Sequence, residues 1–175
     1  NLGFNTLTIS NANPGDTFSG AIQGSGGLTL TTGTETLDGT NTYTGATTLN
    51  GGTLALSGTG SIATSSGVAV GSTATLDISQ TSAGASIARL SGRGHADLGS
   101  KTLPLTAAND TFSGIIEDGG ILAGVGGGLT VTGTETLSGI NTYTGTTTIN
   151  ALSTIALSGA GSIAGSSAAD NGTFD

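Results

Sequence analysis

The stretch GGLTLTTGTETLDGTNTYTGATTLNGGTLALSG, Gly26–Gly58, decides the fold. Its apolar residues alternate with Thr or Ala over short runs, as in Leu28-Thr29-Leu30 and Leu54-Ala55-Leu56, and the runs are bounded by Gly, Asn or Asp. Period-two runs between such breakers are short strands joined by tight turns. The stretch returns almost letter for letter at Gly127–Gly159. GTETL at Gly33 recurs at Gly133 and NTYTG at Asn41 recurs at Asn141, offsets of 133 − 33 = 100 and 141 − 41 = 100. DTFSG moves from Asp16 to Asp110, an offset of 94, and LALSGTGSIA at Leu54 returns as IALSGAGSIA at Ile155, an offset of 101. The chain therefore reads as two tandem copies of one long unit, about 1–96 and about 97–175, with length differences absorbed in turns.

Working outward, the same alternation appears in TLTIS at Thr6 and TATLDIS at Thr73, and no amphipathic helix stands out. Within the unit, Leu28, Thr48 and Val68 open comparable strands at spacings of 20. Recurrence near this length, with several strands in each recurrence, describes one coil of a β-solenoid. The expected fold is all-β, a parallel β-helix forming one continuous body. Leu28, Leu37, Leu54 and Leu56 should lie in one core and Leu129, Leu137, Ile155 and Leu157 in its continuation. Two immunoglobulin-like repeats would have a similar length. The shorter rhythm and the lack of any linker argue against them. Pro14 precedes Gly15 as in a turn, whereas Pro104 interrupts KTLPLT and is expected at a strand edge or bulge. Thr173-Phe174-Asp175 aligns with Thr75-Leu76-Asp77, in mid-unit, so the chain is expected to be a piece of a longer solenoid.

Composition narrows the class. The chain has 33 Gly, 8% charged and 3% aromatic residues, and no Cys, Met or Trp. It can build only a narrow core of Leu, Ile, Val and Ala closed by glycine turns. A net charge of −8 argues against nucleic acid or an anionic membrane as partner, because both select basic surfaces. Absence of cysteine excludes disulfides and thiolate metal sites, and no apolar run approaches a membrane span.

The Gly26–Gly58 stretch, and Gly127–Gly159 with it, resembles the passenger-associated β-strand repeat of bacterial autotransporters. The most specific part is the set Gly39, Asn41, Thr42, Tyr43, Thr44, Gly45, Thr48, Asn50, Gly52, Thr53 and Leu54. Glu35 and Glu135 stand where that family often has a small residue, and Ala151-Leu152-Ser153 replaces the glycine turn Gly51-Gly52. The resemblance implies a right-handed β-helix exported through the outer membrane of a Gram-negative bacterium and displayed or released outside the cell. Its membrane link would be a C-terminal translocator outside this chain.

Chemistry-bearing residues are sparse. Arg89, Arg93 and Lys101 gather around the one histidine, His95, in ASIARLSGRGHADLGSK. These residues could form an anion-binding patch in which His95 and Asp97 handle a proton. The preferred reading is a solvated turn between the units, because no nucleophile converges there. Asp110, Glu117 and Asp118, and the recurring Glu35 and Glu135, read as solvated turn carboxylates; no cofactor and no metal site is expected. Asn41, Asn50, Asn141 and Asn150 are expected to cap turns or to form amide ladders between coils. Tyr43 and Tyr143 would cover corners of the core with their hydroxyls in water, or serve as outward aromatics for stacking on sugars.

The expected function is a non-enzymatic stalk or scaffold segment of a surface-displayed or secreted adhesin, supporting cell adhesion, aggregation or biofilm. Its partners would be protein or glycan at host or neighbouring-cell surfaces, or other copies of itself. The candidate ligand or self-association surface comprises Tyr43, Tyr143, Arg89, Arg93 and His95. Two alternatives are a polysaccharide-acting β-helix enzyme, for which the carboxylates are too few, and an ice-binding threonine array built from the TLT, TGT, TYT and TTT triplets.

Overall fold

A computed structural model describes all residues, Asn1–Asp175. Strands account for all its regular structure: β1 (Leu7–Ile9), β2 (Ala12–Phe18), β3 (Leu28–Leu30), β4 (Gly33–Leu37), β5 (Thr47–Gly58), β6 (Val68–Thr81), β7 (Leu90–Gly92) and β8 (His95–Asp97). They continue with β9 (Thr102–Ala108), β10 (Thr111–Phe112), β11 (Ile115–Glu117), β12 (Gly128–Leu137), β13 (Thr146–Ile149), β14 (Thr154–Leu157), β15 (Ser167–Asp170) and β16 (Thr173–Phe174). Every pairing between them is parallel. The molecule is a β-solenoid of about eight turns, in which each coil lies on the one before.

Alternation sets the interior. In the column Leu7–Leu28–Thr47–Val68–Leu90 the side chains point inward, and in the next column, Thr8–Thr29–Thr48–Ala69–Ser91, they point out. The pairing joins Leu28 to Thr47, not to Thr48, so the rhythm is 47 − 28 = 19 and then 68 − 47 = 21 residues. Turns of unequal length make the difference. Leu28, Leu37, Leu54, Leu56, Leu129, Leu137 and Ile155 are all sealed in one core, while Leu157 packs against it only partly buried. A fully buried Leu contributes about 1.5–3 kcal/mol. A stack of such residues thus supplies what a chain with so few aromatics could not obtain from large side chains.

β5 and β6 each turn a corner while staying paired. At the β5 corner Gly52 has φ +76°, and a Cβ there would collide with the carbonyl of Gly33 in the coil below. Glycine is required both by conformation and by space. In the second unit the corresponding corner carries Leu152, the one non-glycine residue with positive φ, at 63°, and its side chain is fully exposed. Pro104 lies in β9 opposite Thr130. A register shift follows it between Leu105 and Ala108, and the preceding coil meets β9 through the single bridge Ile87–Leu105.

The two units are stacked out of phase. Leu30, Leu49, Val70, Gly92, Phe112, Leu137 and Leu157 form one unbroken register column. By sequence, however, the counterpart of Leu30 is Val131, and Leu137 is the counterpart of Leu37. The column passes from the first strand position of unit one to the second position of unit two. The first position of unit two, Leu105–Val131–Ile149, stacks on Ile87 instead. Likewise Ile116, the counterpart of Ile22, continues the column Leu54–Leu76–Ala96. The repeat is therefore not a whole number of turns, and equivalent surfaces step round the axis by one face. All faces share the same in–out alternation, so a strand of one face can pair on a strand of another without exposing its apolar side.

Candidate functional site

The seam between the units collects the reactive side chains. β6, β8 and β11 pair in register Thr75–His95–Ile115, Leu76–Ala96–Ile116 and Asp77–Asp97–Glu117. The middle column is buried, so its neighbours project from the opposite side of the sheet, and three carboxylates stand one above another with His95 beside them. His95 Nδ1 lies 2.5 Å from Glu117 Oε1 of the next coil, the one ion-pair contact in the molecule. Asp97 Oδ1 is sealed from solvent and has no hydrogen-bond partner. Burial first, then the Glu117 and Asp77 carboxylates, pushes the Asp97 carboxyl up to about 6. The donor atoms of His95, Asp97 and Glu117 all lie within 4.8 Å of one another.

The segment after Glu117 folds back over this cluster. Asp77 Oδ2 accepts the Ile121 N–H at 2.6 Å, its Oδ1 accepts the Ser79 N–H at 2.7 Å, and Ser79 Oγ accepts the Leu122 N–H at 3.0 Å. Asp77 is thereby fully used and buried. Asp118 anchors the other end. Burial works against its charge, but the Thr144 hydroxyl and the N–H groups of Gly126, Gly127 and Thr144 hold its carboxyl below the usual range. Between these anchors Ile121, Leu122 and Val125 are exposed.

The expected surface is assembled only in part. Tyr43 and Tyr143 are fully buried, and neither of the two outward readings holds. Tyr43 Oη lies 2.6 Å from Thr47 Oγ1, which continues at 2.9 Å to Ser65 Oγ and on to the carbonyls of Gly45 and Gly67. Tyr143, Thr147 and Ser166 repeat the chain at 2.6 and 2.6 Å, ending on Gly145 O. The hydroxyl is satisfied inside because a threonine four residues on faces inward, a pairing that alternation alone assigns to the apolar core. Arg89 and Arg93 are exposed and make no ion pair, whereas His95 is half-buried against Glu117. The anion-patch alternative pairs His95 with Asp97; the contact His95 makes is to Glu117, 117 − 95 = 22 residues on, through coil pairing that spacing along the chain does not reveal.

Nor are all the acids solvated turn residues. Glu35 and Glu135 pair with Leu54 and Ile155, which are inward positions. Glu135 is fully buried with both carboxylate oxygens unpartnered, and burial followed by the Asp110 charge pushes it up to about 8. Glu35, only partly buried, is raised by burial and then by Asp16. Asn41 and Asn141 do form the expected amide bridges, whereas the Asn150 side chain reaches only the exposed Thr132 hydroxyl.

Two shallow depressions mark the surface. The larger, about 300 Å³, is lined by Gly58–Ser61 and Ser82–Ser86 and carries no ionisable side chain. The threonine columns are short: Thr8–Thr29–Thr48 runs into Ala69, and Thr34–Thr53–Thr75 runs into His95.

Among known families, the Passenger-associated-transport-repeat matches residues 23–56 and again 130–151. Two stretches of the chain are thus similar to passenger-associated transport repeats. Both matches cover the strands that build the first and second faces and the Asn-Thr-Tyr corner between them. Together with the parallel β-solenoid, they fit an autotransporter passenger domain with β-repeats. The second match ends at Ala151, beside the Leu152 corner where the glycine turn is replaced. No curated protein and no solved structure matches the chain.

Proposed function

We propose that the chain is a non-enzymatic stalk segment of a passenger displayed on, or released from, the bacterial surface, where it carries adhesive parts away from the cell. The observation that supports this reading is the unbroken parallel column Leu30–Leu157, which runs through both repeats and makes them one rod, not two jointed modules. Each coil adds about 4.8 Å along the axis. Length is then the functional quantity, and the repeat is the means of extending it. The phase step between units turns equivalent surfaces to different sides, which suits a spacer more than a flat array. Neither the larger depression nor the short threonine columns favour the enzyme or ice-binding alternatives.

The test of the stalk is replacement in a surface-displayed passenger. An unrelated solenoid with the same number of coils should preserve adhesion, and deletion of coils should lower it in step with length. Loss of adhesion on equal-length replacement would mean that this segment binds the partner itself.

A further inference from the structure

We propose that His95, Asp97 and Glu117 form a binding site for a first-row divalent transition metal, with zinc as the fitting ion, that staples the coil of β8 to the coil of β11. Four observations carry it. The three side chains project from paired strands in adjacent positions, His95 beside Asp97 and Glu117 above it, and their donor atoms already lie within 4.8 Å of one another. The backbone ladder fixes this arrangement, so no loop has to close to assemble it. One donor is idle: Asp97 Oδ1 is sealed from water and bonded to nothing, a state that costs free energy unless a ligand occupies it. Finally, Asp77, the third carboxylate of the column, is consumed by the backbone of Ser79 and Ile121, so it closes one side of the cluster and adds negative field without competing for the ion.

The donor set decides the class of ion. One imidazole with two carboxylates suits zinc, manganese or cobalt, while calcium and magnesium favour all-oxygen shells. Zinc bonds of about 2.0–2.2 Å to N and O place tetrahedral donors roughly 3.3 Å apart. The His95–Glu117 contact must therefore open by about 1 Å, and the far donors must close by a similar distance. Water would complete the shell from the open side, since His95 and Glu117 are both only partly buried. The ion would replace the proton or hydrogen bond now held between His95 and Glu117, so binding weakens as the imidazole is protonated. Its effect is structural: it cross-links the two coils at the seam where the repeats change phase and fixes the root of the segment that presents Ile121, Leu122 and Val125.

The single histidine makes the test direct. Zinc titrated into the whole chain near neutral pH should shift the imidazole nitrogen resonances of His95, bind at one equivalent by calorimetry, and raise the melting temperature. Cobalt should give the visible spectrum of mixed nitrogen and oxygen coordination. Calcium and magnesium should do neither. His95→Gln, Asp97→Asn and Glu117→Gln, each checked for native circular dichroism, should weaken zinc binding at least about tenfold. Asp97→Asn is near-isosteric and keeps the strand unchanged, so it reads the ligand role even if a substitution at His95 destabilises the seam. An unshifted His95 resonance in excess zinc would overturn the site. So would zinc affinity that survives all three substitutions, or equal affinity for calcium.

Discussion

The side-chain oxygen of Asn41 accepts the backbone N–H of Ile22 at 2.9 Å, one coil below. The amide nitrogen of the same side chain donates at 3.0 Å to Gly39 O in its own coil and at 3.1 Å to Ser61 O in the coil above. One buried side chain thus ties three coils, and Asn141 does the same with Ile116, Gly139 and Ser162. Backbone bonds join the same coils at this corner, Asn41 N–H to Ser61 O at 2.9 Å and Thr42 N–H to Ile22 O at 2.8 Å, beside the bridges Thr40–Ser61 and Ile140–Ser162. The asparagine side chain adds three more bonds to this backbone set.

Asn41→Ala should destabilise the fold by about 2–4 kcal/mol, since three hydrogen bonds go and the buried Ile22 N–H loses its acceptor. Asn41→Asp should be worse, because a carboxylate oxygen would face two carbonyls. Chemical denaturation of each variant measures this. A change below about 1 kcal/mol for Asn41→Ala would mean that water takes over the amide's role.

Tyr43 yields a prediction at high pH. Burial pushes its hydroxyl up to about 12 from an ordinary 10, against the pull of the Thr47 and Ser65 hydrogen bonds. The folded state keeps the proton after the unfolded state has lost it, so this stabilising contribution is complete below pH 10 and disappears as pH rises towards 12. With two tyrosines and no tryptophan in the chain, tyrosinate absorbance reports it cleanly. Ionisation should coincide with unfolding. Titration near the ordinary value in folded protein would contradict the buried network. Tyr43→Phe should cost about 1 kcal/mol and weaken the alkaline transition.

Glu135 acts in a lower range. Its folded value near 8 lies well above the ordinary 4.5, so the protonated acid is the form the core accepts. Stability is full below about 4.5 and falls as pH rises through about 8, at up to about 1.4 kcal/mol per pH unit. Glu135→Gln should remove this dependence and raise stability at neutral pH by a few kcal/mol. Melting curves at pH 5 and pH 8 for both proteins suffice. Parallel pH dependence in the two would show that Glu135 finds a partner or water in solution.

Leu152 holds a left-handed conformation without the freedom of glycine. That strain is worth roughly 1–2 kcal/mol, and a glycine in its place returns about 0.5–1 kcal/mol of it as lost unfolded-state restriction. Leu152→Gly should therefore stabilise by about 0.5–1 kcal/mol and remove an exposed apolar side chain. A lower melting temperature in the variant would mean that the corner does not adopt the Gly52 geometry.

The sequence by itself determined the strand content, the solenoid and the identity of most of the core. These follow from local alternation and from repetition, both of which are properties of neighbouring residues. Leu28, Leu37, Leu54 and Leu56 could be placed inside because a period of two leaves only one face for them. The tertiary structure decided what stacks on what. Which residue lies above another depends on the summed length of every turn in a coil, and turns here vary freely, so a slip of a few residues moves a side chain to a new neighbour. For that reason the one-face step between the units, the meeting of His95 with Glu117 and the inward aim of Glu135 were not legible along the chain. Tyr43 was misplaced for a related reason: its hydroxyl could be buried only because Thr47 and Ser65, from its own coil and the next, converge on it.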